Sequence, residues 1–526
     1  MIILHNGIIH TLNALQPTVE ALAINDRYII ATGTNEDILA LAIADTKKID
    51  LRGKCVIPGI TDAHIHLLQY GRKLRKIDCE TSSKQACLDR VAQAVEQAQP
   101  GEWILGQGWD HNQWQKGIGT RYELDSISPE HPVYLESKSL HSSWANSLAL
   151  KIAGIDKHTP DPTGGKILRD EHGEATGILL ESATLLIEDA LPSPDEESIT
   201  SDLQRAQTQL LQYGITSVHD VDEWLIYPLL KDMQAEGRFP LSIVKSIPRS
   251  HLEEAIQLGL TSGMGDEHLK VGWLKLFMDG ALGPQTAAML EPYENSNQMG
   301  MLTMSKQELV EVGEYAYAHA ISLEVHAIGD RAIRSLLTGF EQIHKNANRT
   351  PNLPSRVEHV QIIHPDDIPH MAALGVVASM QPFHVISDME TADRFWGERC
   401  QYAYTWNTIR QAGIPLVFGS DAPVESPNPF PALHASVTRK KANHPEAWYP
   451  EQCLTMEQAL QAYCISPARI SRNPQLGSLS KGKLADLVVL PSDPFSVHSI
   501  QMGELQPIAT MIEGRFVWKK PGQLED

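Results

Sequence analysis

Two histidines spaced by one residue, His64 and His66, end an apolar run in CVIPGITDAHIH. Alternate side chains of an extended strand face the same way. The pair therefore aims two imidazoles at one point, an arrangement suited to a divalent metal. An HxH arises readily by chance in a chain with 22 histidines; its weight comes from four further ligand-type residues, each at the end of another apolar run. Lys275 closes VGWLKLF, on the same face as Val271, Trp273 and Phe277. An ammonium is costly to bury there, so such a lysine tends to be neutral or paired. A neutral amine can capture carbon dioxide as a carbamate, an anion able to bridge two cations. His326 ends SLEVHA, His359 lies in VEHVQI and Asp421 follows PLVFGS. Taken singly, each has an ordinary role: a strand-end salt bridge for Lys275, a hydrogen-bonded core position for the histidines, a helix cap or turn for Asp421.

The elements that must carry these residues are short apolar strands separated by helical stretches. The strands are expected at VIPGI (56–60), ITSVH (215–219), LSIVKSI (241–247), GWLKLF (272–277), SLEVHA (322–327), VEHVQII (357–363), VVASMQ (376–381) and PLVFGS (415–420). Helical patterns fall at 197–213, 249–259, 305–320, 330–346, 365–374 and 402–413. Eight strands alternating with helices predict a parallel α/β sheet closed into a (β/α)8 TIM barrel. An open doubly wound sheet is the alternative, weakened because no glycine-rich dinucleotide fingerprint follows any strand. In a barrel, the strand-end residues of strands one, four, five, six and eight meet at the C-terminal mouth, where barrel active sites assemble. His219 with Asp220 after the second strand, and His384 after the seventh, lie at the same end and are candidate substrate contacts.

Two regions fall outside the alternation. Residues 1–55 and 477–526 read as strands, and their simplest packing is one small β-sandwich built from both ends. The barrel would then comprise 56–67 and 196–476. Residues 68–195 are far too long for a barrel loop and carry their own signals, a helix-like 83–98 and a strand-like HPVYLES. They are expected to form an inserted α+β subdomain placed as a lid.

Composition narrows the function. The chain has 526 residues, 42% hydrophobic and 21% charged, with a net charge of −21. That balance argues against nucleic acid or an anionic membrane as a partner. MIILHNGIIHTLN lacks the basic and long apolar regions of a signal peptide, and no run approaches the length of a membrane span, so a cytoplasmic location is expected. The six cysteines are scattered without a CxxC, which disfavours a disulfide framework or a thiolate metal site.

DAHIH, KLF followed by DG, VHAIGD, EH and GSDAPV together resemble the amidohydrolase superfamily in its binuclear form. The resemblance is closest to the YtcJ-like branch (amidohydrolase 3), which includes N-substituted formamide deformylase. YGITSVHD, TRYELDSISPEHPVYL and LGSLSKGKLADLVVL extend it over nearly the whole chain. It implies the barrel, a flanking sandwich and one or two divalent ions, zinc first. By position, His64, His66 and Asp421 would bind the first ion, His326 and His359 the second, and Lys275, N6-carboxylated, would bridge them. Asp421 would serve as general base and acid in hydrolysis of a non-peptide carbon–nitrogen bond of a small molecule, such as an N-acyl or N-formyl amine. A homodimer is a family-based expectation.

Relatives continue DGSLGSRTA where this chain has DGALGPQTA, so Pro284-Gln285 removes an expected cation. Asp279 and Gly280 in that loop are candidate pocket residues. So are His141, Trp109 and Asp110 in the insertion. Glu324 shares the inward face with His326 and is a candidate hydrogen-bonding partner for a ligand. Deamination is the rival chemistry, disfavoured because neither His326 nor His359 is followed by a glutamate three residues on. Ester or lactone hydrolysis uses the same site. A catalytically dead scaffold is the distant alternative, disfavoured because all six ligand positions are filled.

Overall fold

The computed structural model describes residues 1–110, 114, 117–137, 142–162, 164–192, 194–441, 446–497 and 499–524. Two compact units emerge: Met1–Tyr70 with Ala206–Asp526, and Gly71–Arg205.

The first unit is centred on an eight-stranded sheet: β1 (Ile60–Ile65), β2 (Ile215–Asp220), β3 (Ser242–Pro248), β4 (Leu269–Phe277), β5 (Leu323–Ala327), β6 (Arg356–His359), β7 (Val377–Met380) and β8 (Leu416–Phe418). Neighbours pair in parallel and in chain order from β1 to β8. Closure is nearly complete. Ile65 bridges Ala422, the His66 N–H donates to the Ala422 carbonyl at 2.8 Å, and the Asp421 N–H donates to the His64 carbonyl at 2.8 Å. Part of the interior is an apolar cluster of Ala63, Val244, Trp273, Leu353, Val377, Val417 and Ile470.

Two expected strands need correction. VIPGI does not form the first barrel strand. Cys55–Pro58 pairs with Ile8–His10 and Leu487–Leu490 in a different sheet, and the barrel strand starts at Ile60. The division falls at Pro58-Gly59. Proline lacks the N–H a central strand needs, and a Cβ on Gly59 would stand 2.2 Å from the Thr216 hydroxyl. VEHVQII also ends early: β6 stops at His359, where φ is +75°, and Val360 follows at +44°.

Strands from both chain ends share a six-stranded sheet, ordered 515–519, 509–512, 487–490, 55–58, 8–10, 18–19. With the four-stranded sheet 28–33, 21–25, 2–5, 47–50 it encloses a core that includes Leu4, Ile9, Leu22, Val56, Leu487, Val489 and Met511. Short helices at Asn35–Leu39 and Ser499–Gly503 interrupt these ends, where the pattern shows strands only.

The second unit holds its own mixed sheet of six strands, ordered 165–169, 175–181, 142–145, 133–137, 104–109, 77–78, with helices Lys84–Val95, Arg121–Ile127 and Ser147–Ile152. Trp109, Trp114 and Trp144 pack with Leu124, Val133, Leu135 and Ile178 in its core.

A candidate metal centre at the barrel strand ends

Side chains from five strands converge. His64 Nε2 lies 3.3 Å from Asp421 Oδ1 and 3.4 Å from Lys275 Nζ, and His66 Nε2 lies 3.5 Å from the same Asp421 oxygen. One ligand atom each of His64, His359 and Asp421 falls within 4.8 Å of the other two. The His326 ring meets the His359 ring at 4.5 Å between centroids, tilted 67°. All six residues named from the sequence as ligands are thus linked around one cup.

Local backbone geometry aims two of them. Arg356 and Glu358 share the inward face of β6, so simple alternation would turn His359 away. The left-handed φ at His359 ends the strand and redirects it. Asp421 likewise has φ +60°. Such conformations are uncommon for residues other than glycine, asparagine or aspartate, and they gather at functional sites. Asp62, two residues before His64, accepts from the His64 and Ser420 N–H groups at 3.2 and 2.9 Å and so ties β1 to the segment carrying Asp421. Burial raises the Asp62 carboxyl to about 6.

Electrostatics prepare a ligand set. Burial, then the Lys275 amine, pull His326 down to about 4. Burial and His326 hold His359 well below the ordinary imidazole range. Both rings are therefore neutral at pH 7, the form a metal requires. The histidines surrounding Asp421 overcome its burial and hold its carboxyl well below the usual range. His64 differs: burial and Lys275 oppose its charge, yet Glu358 and Asp421 outweigh them and raise it to about 9. The donor set fits a divalent ion. His66 Nδ1 and His384 Nε2 are also buried with no hydrogen-bond partner among the described residues.

Beneath the cup lies a charged layer of which the sequence reading singled out only Glu324. His64 Nδ1 hydrogen-bonds Glu358. Arg356 donates to both Glu358 oxygens, to the Ala63 carbonyl at 2.6 Å and to the Ser379 hydroxyl at 2.6 Å. Glu324 accepts from Ser246 and lies 3.6 Å from Arg356. Burial opposes the Glu358 charge, but Arg356 and His64 hold that carboxyl well below its ordinary value. His64, Glu324 and Glu358 could themselves group around an ion, but Arg356 already supplies the positive charge there. Alternating charges in RVEH were the available signal, since a strand inside a barrel does not bury Arg and Glu without partners.

The remaining candidates separate. His384 Nε2 lies 3.9 Å from Asp421 Oδ2, and its ring stacks over His359 at 6.2 Å. It belongs to the cup. Gln361 and Gln381, also unforeseen, hold His384 Nδ1 and His359 Nδ1 at 3.4 and 2.8 Å. His219 does not reach the mouth as expected. Its Nδ1 takes a hydrogen bond from Arg356 at 3.1 Å, and its ring packs on Trp273. Asp220 pairs with buried Lys245 at 3.1 Å. Asp279 accepts three backbone N–H groups, from Ala288, Ile328 and Gly329, at 2.8–3.0 Å. It anchors the loops after β4 and β5 instead of facing substrate. Trp109 is fully buried, with its indole N–H on the Leu135 carbonyl at 2.8 Å, so it packs the insertion core. His141 lies outside the described residues. A cavity of about 570 Å³ bordered by residues 12–14 and 465–483 contains none of the candidate ligands.

A nearly closed parallel barrel with imidazoles, a lysine and a carboxylate at its strand ends defines a metal-dependent hydrolase. The profile of the Amidohydrolase family matches residues 47–518. YtcJ of Bacillus subtilis (strain 168), an amidohydrolase by name, is 30% identical over 98% of this chain and 99% of its own. N-substituted formamide deformylase of Arthrobacter pascens is 29% identical over 98% of both chains. An uncharacterized metal-dependent hydrolase from Pyrococcus furiosus superposes with a TM-score of 0.78 at 28% identity, covering 94% of this chain and 100% of that one. This chain belongs to the amidohydrolase family, and it is a hydrolase of carbon–nitrogen bonds.

Proposed function

We propose that the enzyme hydrolyses the amide bond of a small N-acyl or N-formyl amine. The observation that carries this reading is the convergence of His64 and His66 on Asp421 and of Lys275 on His64, each within 3.5 Å, beside neutral His326 and His359. In this reading His64, His66 and Asp421 would hold one divalent ion, zinc first, and His326 and His359 would hold a second. Lys275, carboxylated on its amine, would be a ligand to both. Ions bound there supply Lewis acidity, which lowers the pKa of water from near 16 to about 7.

The chain's own groups do the rest. Asp421, held anionic, accepts a proton from the attacking water at one carboxylate oxygen and returns it to the departing nitrogen. Amide cleavage needs that return, because an amide anion is a very poor leaving group. His384, whose Nε2 has no hydrogen-bond partner among the described residues and lies beside Asp421, would donate to the substrate carbonyl oxygen. Phe277 is 49% exposed, and its ring lies 5.3 Å from that of His326, offering an apolar wall for the substrate's N- or acyl substituent. The missing arginine at Gln285 and the name of the Arthrobacter pascens relative both favour an uncharged amide. We place the enzyme in the cytoplasm, as a homodimer; among the described residues no helix is long and apolar enough to cross a membrane.

The test is hydrolysis by protein reconstituted with zinc, manganese or iron. The substrates are N-formyl amines, N-acyl amino acids, cyclic ureides, lactones and aminated heterocycles. Turnover is expected first on the N-formyl or N-acyl amines. Activity confined to heterocycle deamination would overturn the amide reading, and inactivity on every class at full metal loading would favour a scaffold.

A further inference from the structure

The cup is not the only convergence of metal-ligating side chains. His10 ends strand 8–10, Cys55 opens strand 55–58, and Asp493 lies just past strand 487–490. All three strands are neighbours in the sandwich sheet. There, one ligand atom from each residue comes within 4.8 Å of the other two. His10 Nε2 stands 2.9 Å from Asp493 Oδ1, and Cys55 Sγ stands 4.0 Å from the same oxygen. The Phe495 ring stacks on His10 at 4.0 Å, 23° from parallel, and fixes the imidazole. Asp493 also accepts the Phe495 N–H at 3.0 Å.

Charge distinguishes this cluster from its look-alike. Glu267, His268 and Glu513 are equally close, but Arg27 donates to both glutamates and already supplies a cation there. Asp493 is only 14% exposed, and no lysine or arginine pairs with it among the described residues. Its partners are an imidazole, a thiol and a backbone amide.

We propose that His10, Cys55 and Asp493 form a second metal site, separate from the catalytic cup. It would take a zinc-class divalent ion, with water in the fourth tetrahedral position. Nitrogen, sulfur and oxygen donors from three residues suit zinc or cobalt and disfavour magnesium or calcium. Occupancy would join two ends of the chain 483 residues apart, so the role is structural. Burial and Asp493 hold the Cys55 thiol above its ordinary range. Binding therefore releases the thiol proton to solvent, and affinity rises with pH.

Cobalt gives the test, because the catalytic cup holds no cysteine. The full chain is stripped with chelator and reloaded with cobalt(II), then compared with the zinc form by absorption and elemental analysis. A thiolate-to-cobalt charge-transfer band in the near ultraviolet is expected in the wild type. It should persist in the His64→Ala/His66→Ala double variant, whose cup is impaired. It should vanish in Cys55→Ser together with one equivalent of metal, and weaken in His10→Ala. Absence of the band in the wild type, or a band and metal content unchanged by Cys55→Ser, would overturn the site. The cluster would then be a His–Asp pair beside a bystander thiol. Neither outcome bears on the amide reading.

Discussion

The barrel interior and the core of the Gly71–Arg205 unit fill their centres in opposite ways. The insertion buries three tryptophans among aliphatic side chains, and each indole N–H finds a carbonyl: Leu135 for Trp109, Thr81 for Trp114, Thr120 for Trp144, at 2.8–3.1 Å. The barrel buries His64, Lys245, Glu324, Arg356 and Glu358, each at most 1% exposed. Apolar burial stabilises by about 25 cal/mol per Å², whereas a buried ion pair is often no more stable than a well-packed apolar replacement. The barrel thus gives up stability to place charge beneath its ligands. Of the described Lys, Arg, Asp and Glu residues of the insertion, only Lys84 and Asp202 are buried, so it makes far less of that concession.

Substitutions in both regions test this contrast. The largest effect belongs to Asp421→Asn, which keeps the shape and removes the base. A fall in kcat of about 10²–10⁴-fold is expected, with the circular dichroism spectrum unchanged. Arg356→Met comes next, since it strands Glu358 and Glu324 without a counter-charge. Urea denaturation should record a loss of about 3–5 kcal/mol. If Arg356→Met/Glu324→Met/Glu358→Met recovers that stability while metal binding falls, the charge layer serves the site and not the fold. Equal instability of both variants would contradict the contrast.

Glu358→Gln should weaken metal affinity by about 10–100-fold, read by competition with a chelating dye, because His64 loses the anion that orients its ring. Trp144→Phe in the insertion should cost about 1–2 kcal/mol and leave metal content alone.

Asp486 gives an effect that depends on pH. Burial raises its carboxyl to about 7. A raised folded-state value means that the folded chain binds the extra proton between about pH 4 and 7. Stability from this group is complete below pH 4 and is lost as pH rises through 7. Asp486→Asn should therefore be more stable than wild type at pH 8, by up to about 4 kcal/mol, and no more stable at pH 4. A pH-independent difference would show that burial of the charge is not the cause.

Periodicity carried well where one element does one job. The helix expected at 330–346 is found at Asp330–Asn346, and the strand expected at 322–327 at Leu323–Ala327. It failed where the backbone changes direction at a working residue. VEHVQII is apolar enough to continue as a strand, but the left-handed turn at His359 and Val360 stops it. VIPGI looks like one strand, yet Pro58-Gly59 hands the chain from one sheet to another. The candidate ligands were legible because imidazole, lysine and aspartate at strand ends are conspicuous. Gln361, Gln381 and Arg356 were not, because polar residues in an apolar run acquire meaning only from what stands opposite them.

The chain on its own determined the alternation of strands and helices, and the residue types that must sit at the strand ends, since side-chain period and burial cost are local properties. Tertiary structure alone decided which of the polar residues meet. It turned His219 toward Arg356 and Asp279 onto backbone amides, and it brought His384 to Asp421. It also set His10 beside Asp493 across nearly the whole length of the chain. Contacts between distant segments depend on sheet register and closure, which no single segment encodes.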